Sequence, residues 1–244
     1  MRGSVVLATL LVVLLVTACS GGPGAEEHYD RALGLSKEGL WEEAIVEYDR
    51  AIELDADYLA AYHDRAFAYL QIGMYEQAIA DYGKIIELDP SVATAYIGRA
   101  LALDELGEHD QAITDLTESI NLDPDNSVAY YNRGLIRHDL RYYSAAIADY
   151  DKVIELNPND AIAYNNRGAA YYGQQDPQRA MDDYDKAIEL DPGLPLAYIN
   201  RAIAYIQLDN PEGAISDLER ALSLTDDVNL KTQIENLLGQ LRSA

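Results

Sequence analysis

Arg31, Arg65, Arg99, Arg133, Arg167 and Arg201 stand 34 residues apart, with no insertion or deletion between them. Ala44, Ala78, Ala112, Ala146, Ala180 and Ala214 keep the same interval. A chain that repeats itself six times in phase over residues 25–228 must make the same local structure in every copy. No single copy is large enough to enclose a core, so each has to bury its apolar face against the next. That excludes a fold built around one central core and leaves an elongated array.

Within a copy, apolar residues recur at spacings of three and four, as in Tyr62, Ala66 and Tyr69, and then Ala78, Tyr82 and Ile85. This is helical periodicity. Gly39, Gly73 and Gly107 interrupt the first three copies midway. Asp176-Pro177 and Asn210-Pro211 do so later, each placing a helix N-cap before a proline that the first helical turn tolerates. Pro90, Pro124, Pro158 and Pro192 then stop the second helix. The spacing therefore predicts six helical hairpins, at 25–58, 59–92, 93–126, 127–160, 161–194 and 195–228. Residues 229–244, with Leu230, Ile234, Leu237, Leu238 and Leu241 at helical spacing, are expected to cap the exposed end of the array.

The fullest copies, AYNNRGAAYYGQQDPQRAMDDYDKAIELDP from Ala163 and AYHDRAFAYLQIGMYEQAIADYGKIIELDP from Ala61, resemble tetratricopeptide repeats closely. The family's small residue in the first helix falls on Ala32, Ala66, Ala100, Gly134, Gly168 and Ala202. Its aromatic in the second helix falls on Tyr48, Tyr82, Tyr150 and Tyr184, with Leu116 and Leu218 in the other two copies. The resemblance implies an all-α, right-handed superhelical solenoid whose concave face binds other proteins. In such solenoids the inner surface comes from the first helix, two residues before the repeated arginine and two and five after it. Carried onto this chain, the groove includes Tyr29, Leu33, His63, Phe67, Leu70, Ile97, Leu101, Tyr131, Leu135, Asn165, Tyr172, Ile199 and Ile203. Family members that clamp a chaperone's C-terminal carboxylate carry lysine at such positions, and this chain has none there. An apolar or amphipathic partner segment, or a second copy, suits the groove better. The alternative is that these side chains pack between adjacent first helices.

Sixteen residues after each repeated arginine stands an acid: Glu47, Asp81, Asp115, Asp149, Asp183 and Asp217. Each arginine precedes the small residue of the first helix and each acid follows the alanine of the second, so both face the seam of the hairpin. We expect structural ion pairs Arg31–Glu47, Arg65–Asp81, Arg99–Asp115, Arg133–Asp149, Arg167–Asp183 and Arg201–Asp217, which orient the hairpins more than they stabilise them.

Residues 1–18 have a basic start at Arg2, an apolar run from Val5 to Val16 and small residues ahead of Cys19, the layout of an export signal. The run is shorter than the roughly 20 residues that a spanning helix needs. Val16-Thr17-Ala18-Cys19 resembles the bacterial lipobox, which implies lipidation of Cys19. The other reading is cleavage near Ala18 with Cys19 left as a free thiol. Residues 19–24 then form a glycine-rich tether. Cys19 is the only cysteine, so no disulfide can form within the chain.

Lys and Arg total 18 against 42 Asp and Glu, a formal charge of -24 that disfavours nucleic acid. His28, His63, His109 and His138 have no pair at metal-binding spacing, and the carboxylates recur with the repeat instead of gathering at one place. Neither a metal, nor another cofactor, nor an enzymatic activity is expected. The preferred function is an extracytoplasmic, lipid-anchored adaptor for envelope proteins, resembling the repeat lipoproteins that serve cell-wall hydrolases, pilus assembly or outer-membrane assembly. Its rivals are a self-associating structural protein and a carrier of small apolar ligands.

Overall fold

The computed structural model describes residues 23–243, which form helices and turns with no strand. The hairpins are α1 (Ala25–Lys37) with α2 (Trp41–Leu54), α3 (Leu59–Gln71) with α4 (Tyr75–Leu88), and α5 (Ala93–Glu105) with α6 (His109–Leu122). They continue as α7 (Ser127–Asp139) with α8 (Tyr143–Leu156), α9 (Ala161–Gly173) with α10 (Pro177–Leu190), and α11 (Pro195–Gln207) with α12 (Pro211–Leu224). A final helix, α13 (Val228–Ser243), packs on α12. The signal segment, Cys19 and the first residues of the tether lie outside the described residues. Among the described residues no helix is long and apolar enough to cross a membrane.

Every helix packs on the next in the chain, and the odd-numbered helices of successive hairpins also touch one another directly. The even-numbered helices do not meet in this way. An array whose first helices crowd together while its second helices stay apart curves with the first helices inside.

Small residues set the close approach inside each hairpin. The repeated alanines Ala44, Ala78, Ala112, Ala146, Ala180 and Ala214 are fully buried, as are Ala32, Ala66, Ala100 and Ala202. Gly134 and Gly168 stand at the same position as these four, and a Cβ there would come within 2.8 Å of Tyr150 and 2.7 Å of Tyr184. The large side chains Tyr48, Leu116, Tyr150, Tyr184 and Leu218 fill the opposite side of the seam.

The turn inside each hairpin takes one left-handed residue, at φ 77°, 73° and 79° in Gly39, Gly73 and Gly107. Arg141, Gln175 and Asp209 hold the same position at φ 63°, 64° and 58°, although their Cβ atoms disfavour it. Asp176 and Asn210 accept the backbone N–H of Arg179 and Gly213 and so start α10 and α12. At the far end Ile234 and Leu238 of α13 are buried against Leu218 and Ala221.

Candidate protein-binding groove

The repeated arginines are built into the frame. Arg65 donates from Nε and Nη2 to the two oxygens of Asp81, at 2.8 and 2.6 Å. Arg99 grips Asp115 in the same two-pronged way, Arg167 grips Asp183 and Arg201 grips Asp217, all at 2.7 to 2.8 Å. Arg133 reaches Asp149 at 2.7 Å and shares it with Arg137, also at 2.7 Å. Tyrosines stack on these guanidinium groups: Tyr62, Tyr96, Tyr130, Tyr164 and Tyr198 lie 5.3 to 5.7 Å from Arg65, Arg99, Arg133, Arg167 and Arg201. Burial pushes the carboxyls of Asp81 and Asp183 up despite the guanidinium beside each. At these two pairs the cost of desolvation offsets much of the attraction, so they fix geometry more than they add stability.

The first hairpin departs from this pattern, and the expected Arg31–Glu47 pair is not made. Arg31 bonds Glu27 on its own helix at 2.5 Å, while Glu47 takes His28 at 2.7 Å and Arg50 at 2.5 Å. His28 occupies the place of the stacking tyrosine, and its imidazole reaches the acid first. Its hydrogen bond holds the Glu47 carboxyl below the usual range.

The arginines also reach backwards, which the sequence reasoning missed. The Nη1 of Arg65 bonds Asp49 of the preceding hairpin at 2.6 Å, and Arg167 and Arg201 bond Asp151 and Asp185 at the same distance. Arg133 bonds Thr117 at 2.9 Å. For Arg99 the corresponding residue is Gly83, which offers no acceptor side chain. The signal was present as the same interval of sixteen residues read towards the N-terminus.

The thirteen groove positions fall into two groups. Phe67, Leu101 and Ile203 are exposed at 46, 36 and 36 %, and Tyr29, Leu33, His63, Leu70, Tyr131, Leu135, Tyr172 and Ile199 are half-buried. Ile97 and Asn165 are buried between neighbouring first helices, Ile97 forming part of the wall of the cleft described below. Asn165 belongs to a polar ladder that joins successive first helices. Asn200 donates to it at 2.9 Å, the Tyr29 hydroxyl donates to Asp64 at 2.7 Å, and Asn166 donates to Tyr131 at 3.1 Å. These contacts link positions 35 residues apart, a spacing that repeat phase alone does not reveal.

The ladder is absent between α5 and α7, where Ile97 offers no acceptor and Asn132 bonds Val128 of its own helix, and at Gly98, which has no side chain where the other hairpins carry Asp or Asn. A Cβ at residue 98 would overlap the ring of Tyr82, which leans across from α4. Without a bridging side chain there, a cleft of about 520 Å³ opens between α3, α5 and the start of α7. Phe67, Leu70 and Leu101 line it, with Asp104 and Glu105 at its edge. Trp41 packs edge-on against Phe67, its ring centre 5.9 Å away. Among the described residues no cluster of three or more His, Cys, Asp or Glu is arranged to hold a metal.

A curved stack of helical hairpins with its repeated arginines held in internal pairs and apolar side chains along the inner face has the form of a scaffold for binding other polypeptides. Tetratricopeptide-repeat models match residues 60–92, 161–194 and 183–216, and a TPR-repeat model matches 35–73, 103–140 and 142–175. The chain belongs to the tetratricopeptide repeat family, whose members mediate protein–protein interactions and are generally not enzymes. The crystal structure of MamA is similar at 27 % identity and a TM-score of 0.64, covering 69 % of this chain and 92 % of that one. YrrB, a TPR protein with an unusual peptide-binding site, is 25 % identical with a TM-score of 0.62, covering 78 % of this chain and 97 % of its own. Pseudomonas aeruginosa pilF, at 18 % identity and a TM-score of 0.71 over 87 % of this chain and 96 % of that one, shares the fold. No curated protein matches the sequence.

Proposed function

We propose that this chain is an extracytoplasmic adaptor, held at a membrane by lipid on Cys19, that gathers envelope proteins on the inner face of its solenoid. The observation that carries this reading is the run of exposed apolar side chains on the odd-numbered helices: Phe67, Leu101, Ile203 and Ile206 are each at least 36 % exposed. Exposed apolar side chains of this kind on the inner face of a helical-repeat scaffold are what an interaction surface requires. The short apolar run ahead of Cys19 and the glycines after it support tethering without a spanning helix.

Two measurements test the two halves of the reading. Cys19→Ser should release the protein from the membrane fraction of its host, and continued sedimentation with membranes would refute the lipid anchor. A photo-crosslinking residue placed at Phe67 or Ile203 should capture a discrete partner in cells, whereas one at Arg50 on α2 should not. Equal capture at all three positions would show that the inner face is not the binding surface.

A further inference from the structure

We infer that the cleft beneath Gly98 is the anchor point of the groove, and that it takes an apolar side chain of a partner segment with a lysine or arginine beside it. The inference rests on the adaptor reading above and adds the chemistry of the partner. Three observations carry it.

The first is where the cleft lies. Between three of the other four pairs of successive first helices a polar contact closes the gap, Asp64 with Tyr29, Asn166 with Tyr131 and Asn200 with Asn165, while between α5 and α7 Asn132 is present but bonds Val128 of its own helix. At Gly98 there is no side chain, and His63, which stands where those ladder partners stand, bonds its own neighbour Asp64 at 3.1 Å instead. The opening falls within the roughly 300–1,000 Å³ range of pre-formed ligand sites.

The second is an unused hydrogen-bonding group in the wall of the cleft. Tyr82 is 2 % exposed, yet its hydroxyl makes no hydrogen bond among the described residues. Tyr150 and Tyr184 at the equivalent position likewise make none, whereas Tyr48 bonds Ser36 on its own hairpin. What sets Tyr82 apart is that the tip of its ring lies against Gly98 and the residue lines the cleft. Burial keeps this phenol protonated, so it can donate to a carbonyl oxygen of an entering main chain.

The third is charge. No lysine or arginine lines the cleft, and its edge carries the carboxylates Asp104 and Glu105. Asp104 accepts one bond from His109 at 2.7 Å and Glu105 one from the Tyr75 hydroxyl at 3.3 Å, and each carboxylate retains lone pairs for a further cation. An acidic segment would meet these carboxylates within a chain of net charge -24. An apolar ligand without charge would leave them unused.

The test uses the built-in reporter. Trp41 is the only tryptophan, and it touches Phe67 in the cleft wall. The full chain is titrated with a capped leucine/lysine dodecapeptide, its leucine/glutamate twin, its alanine/lysine twin and oleate, following Trp41 emission. The leucine/lysine peptide should shift the emission with saturation and the three other probes should not. Asp104→Asn with Glu105→Gln should weaken that binding about fivefold or more, while circular dichroism stays unchanged, and Tyr82→Phe should weaken it without altering the charge preference. Equal binding by the leucine/glutamate peptide, binding of oleate alone, or an unchanged affinity in the Asp104→Asn, Glu105→Gln variant would each overturn the proposal. Crosslinking of the leucine/lysine peptide at Ile203 with no response from Trp41 would overturn the anchor and leave the adaptor reading standing. No binding of any peptide, together with no crosslinked partner in cells, would remove both.

Discussion

Asp217 is 5 % exposed and both its oxygens are held by Arg201, so removing that guanidinium strands a buried carboxylate. Arg201→Ala is expected to cost roughly 3 kcal/mol in urea unfolding. Arg133→Ala should cost about half as much, because Arg137 still holds Asp149. Arg31→Ala should cost under ~1 kcal/mol, its one partner among the described residues being the exposed Glu27. Equal costs for the three would contradict the geometry. Ser119 poses the opposite case: its hydroxyl is buried without a partner, at a position where other copies carry Ala51, Ala187 and Ala221. Ser119→Ala should raise stability by about 1 kcal/mol, and a fall would imply a hidden acceptor. At this scale the pairing within a hairpin was legible, because a constant sixteen-residue interval between arginine and acid survives in every copy. Its failure in the first copy was not, since it depends on His28 standing where Tyr62, Tyr96, Tyr130, Tyr164 and Tyr198 stand elsewhere. A periodic pattern hides the one side chain that breaks it.

The hairpin turns give the sharpest test at the level of the element. Arg141 and Gln175 pay for a left-handed backbone that Gly39, Gly73 and Gly107 adopt freely. Replacing Arg141 or Gln175 with glycine should stabilise the chain by roughly 0.5–1 kcal/mol, the steric relief exceeding the added freedom of the unfolded chain. Gly107→Ala should destabilise it by a similar amount or more. Thermal midpoints of the three variants decide the matter, and a lower midpoint for Arg141→Gly would mean that its side chain contributes more than its backbone costs. Helix positions were readable because apolar spacing, glycines and capped prolines all mark the same boundaries. The groove was less so. Ile97 and Asn165 occupy the same repeat position as Tyr29 and His63, yet they are buried, and only the spacing between neighbouring helices separates the two outcomes.

For the whole molecule, stability is a sum over neighbours, and its ends are where it is weakest. Helix α13 covers the apolar side of α12, with Ile234 and Leu238 at 2 and 4 % exposure. Deleting residues 228–244 should lower hydrogen-exchange protection first in α11 and α12 and leave α5 to α8 nearly unchanged. A uniform loss across the array would indicate a single cooperative unit instead of a chain of coupled ones. The first hairpin, which lacks the arginine clamp, should likewise exchange before the second.

The missing acceptor at Gly83 reaches beyond its own hairpin. At the seams between α2 and α3, α6 and α7, α8 and α9, and α10 and α11, a directional hydrogen bond from the repeated arginine locks one unit to the next. At the seam between α4 and α5 the repeated arginine makes no such bond, and the ring of Tyr82 seated on Gly98, with the Tyr75 hydroxyl donating to Glu105 at 3.3 Å, joins the two hairpins instead. Residues 25–92 and 93–243 therefore meet at the one join between hairpins that lacks the arginine latch. The cleft straddles that join, so a segment wedged into it would act as a shim that sets the pitch between the two parts.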